Sequence, residues 1–206
     1  MNECHFSRSS DRRTVFLEVA RRHFLERGYA GTSLAEIVAD SGGSLATLYK
    51  MFTNKDGLFR AVLADFSHSG AAIVEHAAAT HKNFETALYS VGETLHRMFL
   101  EPERMTMHRV VIERSVNDPD FGRRFHEETV IRTHNAFEAF LTGWERRGVK
   151  LNGSAAELTA IFLSLIVYDF QIEAISHMPA LETRKATMRD RIAFFIRGAG
   201  ADSGAS

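Results

Sequence analysis

The sequence predicts an all-α fold of about nine helices, with a compact three-helix unit at the N-terminus and a larger helical part behind it. Three observations predict it. Apolar residues recur at spacings of three and four along nearly the whole chain. No run of alternating β-branched residues bounded by turns occurs. Cap residues, glycines and prolines fall between the apolar stripes, at Gly28, Ser44, Asn54, Pro102, Asp118, Gly148 and Ser154.

The first helix is expected over residues 10–27. Val15, Phe16, Val19, Ala20 and Phe24 form its stripe, and Gly28 is a natural left-handed stop. Thr32 or Ser33 then caps a short helix, with Glu36 placed as in a capping box and Leu34, Ile37 and Val38 facing inward. Ser41-Gly-Gly-Ser44 allows a tight turn, and Ser44 caps the next helix, Leu45–Phe52. Thr53-Asn54 caps a longer helix over 55–79, striped by Leu58, Phe59, Val62, Leu63 and Phe66. A fifth helix carries Phe84, Leu88, Val91, Leu95, Met98 and Phe99. Pro102 opens a sixth with Met105, His108, Val111 and Ile112. Asp118-Pro119 repeats the signal and opens one long helix over 119–147, stopped by Gly148. Ser154 caps a helix over Ala155–Ser176 that is apolar on most faces and needs cover on several sides. A last helix over 182–197 follows Pro179, and the small, polar tail 198–206 is expected to be disordered.

Composition narrows the function classes. The 206 residues suffice for a sizeable core. A single cysteine, Cys4, excludes a disulfide framework and a multi-thiolate zinc site. The net charge of −1 excludes a basic footprint over the whole chain, but the charge is uneven. Residues 8–60 hold nine Arg/Lys against six Asp/Glu, a balance of +3, which leaves −4 for the rest. A mildly basic front on an acidic back suits a binding module joined to something else. The longest apolar run, 161–168, is shorter than the ~20 residues that cross a bilayer. The N-terminus has no apolar signal core, so no membrane partner and a cytoplasmic location are expected. Ten histidines raise the question of a metal, yet His126 and His134 have no third ligand at a suitable spacing. Neither a metal nor a cofactor is expected.

Two short helices joined by the double glycine, behind a longer one, make a helix-turn-helix candidate. Its second helix would lie in the major groove, which is wide enough for one helix. Leu48 and Phe52 would point inward, and Ser44, Leu45, Ala46, Thr47 and Lys50 outward. Thr47 offers a hydroxyl to phosphate or base and a methyl to thymine. Tyr49 offers a ring and a hydroxyl suited to phosphate. Lys55 stands at a helix N-terminus, where an anion is favoured. Thr32 and Ser33, with their neighbouring amides, can hold a phosphate from the other side. Arg12 and Arg13 can add backbone or minor-groove contacts.

The wording of residues 32–59, above all Thr47-Leu-Tyr49, Phe52, Lys55 and Leu58, resembles the DNA-binding domain of the TetR family of bacterial transcription regulators. The resemblance covers about residues 12–63 and is nearest the AefR-like branch. The segment Arg109-Val-Val-Ile-Glu-Arg-Ser with Asp118-Pro-Asp-Phe-Gly-Arg-Arg-Phe125 resembles that branch's C-terminal domain. It implies a DNA-binding domain over 8–54 and a ligand-binding and dimerisation domain over 55–197. The matching lysine of the family touches the DNA backbone. Two departures stand out. The usual sizes at Val38 and Gly43 are exchanged, and Leu45 and Met51 are apolar where polar or basic residues are frequent.

The resemblance implies a repressor released from a palindromic double-stranded DNA operator by a small apolar or aromatic effector. It also implies a homodimer built from the last two helices, with the reading helices about one DNA turn apart. Met98, Phe99, Met105, His108, Val111, Phe125, His134, Phe137, Phe162 and Tyr168 are the ligand-pocket candidates, from the helices that enclose the family's pocket. The alternative is a helical protein that binds a small molecule or a partner but not DNA. An enzyme is not expected. Gly42-Gly-Ser-Leu-Ala46 lacks the preceding strand and final glycine of a nucleophile elbow, and no phosphate-cradling or dinucleotide loop is present.

Overall fold

A computed structural model describes residues 3–178 and 187–200, with the side chains of 3–10 and 65–69 outside that description. These residues form α1 (Glu3–Gly31), α2 (Leu34–Ser41), α3 (Leu45–Phe52), α4 (Lys55–Thr80) and α5 (Phe84–Phe99). After them come α6 (Pro102–Asn117), α7 (Pro119–Phe125), a π turn (His126–Val130), α8 (Ile131–Glu145), α9 (Ala155–Ser176) and α10 (Met188–Gly198). No strand occurs among the described residues.

Local chemistry sets most boundaries. Gly28, at φ +70°, breaks α1 as expected, and one further turn reaches Gly31. At its other end α1 begins earlier than expected, at Glu3. Gly42, also left-handed, ends α2. Asn54, Asn83, Asp118 and Ser154 each accept a backbone N–H in the first turn of α4, α5, α7 and α9. Ser154 completes a capping box with Glu157, and Thr187 another with Asp190. Of the expected tail over 198–206, Gly198 ends α10 and Ala199 is buried, its carbonyl accepting the Asn152 N–H at 2.8 Å. Residues 201–206, residues 182–186 of the expected last helix and the Phe66 side chain lie outside the described residues.

Two further expectations change. The cap of α2 is the Ser33 backbone position, without a side-chain bond. The Thr32 hydroxyl is buried and donates to the Gly28 carbonyl at 2.7 Å instead. The single long helix over 119–147 is two helices separated by the π turn. The cause is phase. Phe125 and Phe137 both face the core side, yet twelve residues of α-helix would leave them about 120° apart. One extra residue held in the π turn brings them within about 20°.

The core has two main parts. Phe16, Phe24, Ile37, Leu48, Phe52, Leu58 and Phe59 fill the head, and Met107, Val110, Val111 and Phe121 of α6 and α7 join them. The second part gathers α4, α5, α8, α9 and α10 around Leu88, Val91, Phe137, Phe162, Ile166 and Phe195. α4 packs on α1, α5 and α8, while α6 packs on α1 and α9. Both helices therefore link the head to the rest. α9 is long and apolar enough to span a bilayer by length and composition. Within it Asp169 is buried and paired with Arg191 of α10 at 2.7 Å.

Candidate nucleic-acid interface

α3 is held by one face and open on the other. Leu48 and Phe52 are fully or almost fully buried, Phe52 edge-on to Phe16 at 6.4 Å. Leu45 (41% exposed), Tyr49 (49%), Ser44, Ala46 and Lys50 face outward, with Thr47 half-buried beside them. The Ser44 hydroxyl accepts the Thr47 N–H at 3.1 Å and lies 2.8 Å from the Thr47 hydroxyl. The start of the helix is thus pinned by two of the outward-facing residues. Its far end turns through Thr53, at φ +68°, into the Asn54 cap of α4. That corner is tight: a Cβ on Gly57 would lie 2.0 Å from the Phe52 carbonyl oxygen.

The size exchange at Val38 and Gly43 has a visible reason. A Cβ on Gly43 would meet the Phe16 ring at 2.6 Å, so the phenyl occupies the room a side chain would need. Arg12 lies over the same ring, at 5.3 Å, and its guanidinium donates to the Ser41 carbonyl at 3.1 Å and to the Gly42 carbonyl. It thereby closes the C-terminus of α2, where a cation is favoured. Arg13 is exposed and stacks over Phe52 at 5.4 Å.

Among the described side chains of α1, acidic partners absorb Arg21, Arg22 and Arg27. Arg22 and His23 meet Asp40 at 2.9 Å, Arg27 meets Glu36 at 2.7 Å, and Arg21 pairs with Glu103 of α6. The hydrogen bond from His23 holds the Asp40 carboxyl below its ordinary range. The face carrying α3 retains Arg13, Lys50 and Lys55. Lys55 sits 4.6 Å over the Tyr29 ring and donates to the Ala30 carbonyl at 3.3 Å. Partial burial and then the neighbouring Arg114 lower its pKa. Thr32 is buried, whereas Ser33 is exposed at the start of α2.

Sequence reasoning missed Tyr29, Asp56 and Arg114. The Arg114 guanidinium of α6 lies 4.4 Å from Tyr29, on which Lys55 also stacks, and 5.3 Å from Phe121. It is tied to Asp118 at 2.7 Å and Asp56 at 3.5 Å. No periodicity marks these residues, because their meeting depends on how α6 crosses the head.

The ten pocket candidates divide into groups. Phe137 and Phe162 are fully buried and stacked at 4.4 Å, with Met98 in the same core. Met105 and His108 gather on Phe170, whose ring is 4.3 Å from the imidazole, and Phe99 bridges to them. Burial pushes the His108 pKa down to about 4. Val111 and Phe125 pack on the head instead. His134 is half-buried on α8. Tyr168 lies outward, 49% exposed, beside Ile161 (53%), Ile172 and Ile175 (69%) of α9. A cleft of about 370 Å³ opens between α4 and the α7–π turn, and of the ten only Phe125 lines it.

Comparison with known proteins places this geometry. The family model described as "Bacterial regulatory proteins, tetR family" matches residues 16–62. The model described as "AefR-like transcriptional repressor, C-terminal domain" matches residues 86–198. The HTH-type transcriptional repressor ComR of Escherichia coli (strain K12) is 43% identical over 79 residues, which span 37% of this chain and 37% of ComR. A putative TetR-family regulator from Mesorhizobium loti superposes with a TM-score of 0.78 at 21% identity, covering 92% of this chain and 97% of that one. NalD, the secondary repressor of the MexAB-OprM multidrug efflux pump in Pseudomonas aeruginosa, superposes at 0.70 with 20% identity, covering 93% and 98%. At these identities the two structures establish the fold.

Proposed function

Given that the chain belongs to the TetR family of bacterial transcriptional regulators, we propose that it is a cytoplasmic repressor, released from a palindromic operator by a small molecule. Regulators of this family bind DNA and typically act as dimers. The observation that carries the reading is α3: pinned at its start by Ser44 and Thr47, anchored by Leu48 and Phe52, and open along Leu45, Ala46, Tyr49 and Lys50. A rigid helix with one free polar and apolar face is what major-groove reading needs. Tyr49, Thr47, Lys50 and Ser33 take phosphate and base contacts, and Lys55 and Arg13 reach the backbone. Arg12 supports the turn before α3 from beneath. ComR and NalD, both repressors by name, favour repression over activation.

The exposed stripe of α9 supports pairing of subunits. Ile161, Tyr168, Ile172 and Ile175 recur at helical spacing, and Phe194 of α10 is also 69% exposed. Left in water, such a contiguous apolar face is costly. Two copies packed across a twofold axis bury it as a four-helix seam and set two α3 helices one DNA turn apart. Effector binding then shifts α4 and α6 and spreads the heads. About 1.4–2.8 kcal/mol of coupling suffices for a ten- to hundredfold loss of affinity.

Gel shift on the DNA upstream of the chain's own gene tests this. Salt-dependent binding of a dimer is expected. Absence of binding, or binding indifferent to salt, favours the helical binder that does not touch DNA.

A further inference from the structure

The cleft between α4 and the α7–π turn lies apart from the buried Phe137–Phe162 core and shares only Phe125 with the residues that the family resemblance assigns to an effector. Its walls combine two chemistries. Leu63, Phe121 and Phe125 supply an apolar side, with Phe121 and Phe125 stacked at 6.2 Å. Arg60, Arg124 and Arg132 supply guanidinium groups against the carboxylates of Glu127 and Glu128. The ionised lining is thus three positive against two negative. Neither Arg60 nor Arg124 makes an ion pair among the described residues. The π turn itself is the local distortion that brings Glu127, Glu128 and Thr129 to the rim.

We propose that this cleft binds an amphipathic monoanion, an aromatic ring bearing one carboxylate or sulfonate, and that occupancy biases the DNA-binding head. The ring lies on Phe125, behind which the buried Phe121 ring is stacked, and the acid group meets Arg60 and Arg124. A net lining charge of one favours a single negative charge over two. Coupling follows from shared walls. Phe121 stacks on Phe59 of the head core at 5.7 Å and carries Arg114, which lies on Tyr29, which carries Lys55. Displacing Phe121 therefore displaces a continuous stack ending at a residue assigned to the DNA backbone.

The inference deepens the proposed effector response and is tested apart from it. The full chain is titrated with anilinonaphthalene sulfonate, an aromatic monoanion, and with uncharged phenylnaphthylamine, by fluorescence without DNA. In Arg60→Ala/Arg124→Ala the anion is expected to bind about tenfold more weakly and the neutral ring within about twofold of the unaltered chain. Phe125→Ala is expected to weaken both. Anion affinity unchanged in the double variant, or both probes weakened alike there, overturns the site. Operator affinity is then measured with and without the anion. A loss in the unaltered chain that disappears in the double variant supports the coupling, and an unchanged affinity overturns it. Failure of DNA binding without probe would sink the repressor reading while leaving the fluorescence result to decide the cleft.

Discussion

Tyr49 presents half its surface to solvent from a helix whose other face is locked in the head core. Among the described residues its ring and hydroxyl make no hydrogen bond or ring contact. Tyr49→Ala is expected to weaken operator binding about tenfold, read by fluorescence anisotropy, with far-UV helicity unchanged. Equal affinity would remove Tyr49 from the interface. His108 makes a prediction about pH. Burial against Phe170 keeps the imidazole neutral down to about pH 4. The unfolded chain takes up the proton below about pH 6.5, so it binds more protons in that window and the native state loses stability as pH falls. The loss amounts to about 2 kcal/mol at pH 5 and is absent above about pH 7. Urea midpoints at the two pH values should differ less in His108→Gln, and an unaltered difference would contradict this account. At this scale the sequence was informative where a residue's role is local. Ser44 caps, and Leu48 and Phe52 anchor. It was silent on Arg114, whose contacts come from residues at distant positions in the chain.

At the element scale, the corner between α3 and α4 and the π turn are two places where backbone geometry shapes the candidate interface and the cleft. Asn54 holds the first turn of α4 at 2.8 Å, and Asn54→Ala should cost about 1 kcal/mol. Gly57→Ala should cost more, because its Cβ has to displace the Phe52 carbonyl at the end of α3. Thermal melts of the two variants check the order. The π turn carries one residue beyond the α repeat, so deleting Glu128 is expected to restore a continuous helix with Phe125 and Phe137 still in phase. Helicity should persist while the cleft rim changes, whereas loss of the fold would show that the turn is structural. Helix existence was legible from stripes and caps nearly throughout. The break in the long helix was also present, as a slip of phase between Phe125 and Phe137, but one extra residue is a weak signal beside two strong stripes.

For the whole molecule, α4 and α6 both bridge the parts. Arg21 of α1 pairs with Glu103 of α6, and Arg109 of α6 donates to the Glu173 and Ala174 carbonyls near the end of α9 at 3.2 Å. The subunit seam proposed on α9 is thereby connected to the head through α6. Placing a charge on the seam, as in Ile175→Asp or Phe194→Asp, should yield monomers by sedimentation and reduce operator affinity, because one head holds far fewer phosphates than two. The excess of apolar faces on α9 was legible in the sequence. It does not tell which face the core covers, so it groups Tyr168 with the pocket, whereas the structure leaves Tyr168 49% exposed on the outer stripe. The account stands most directly on a hydroxyl-radical footprint of an operator selected from a random DNA pool. It predicts two protected major-groove segments on one face, about 10 base pairs between centres, with two subunits per duplex and affinity falling steeply with salt. A single protected segment held by one subunit, or protection insensitive to salt, would contradict it.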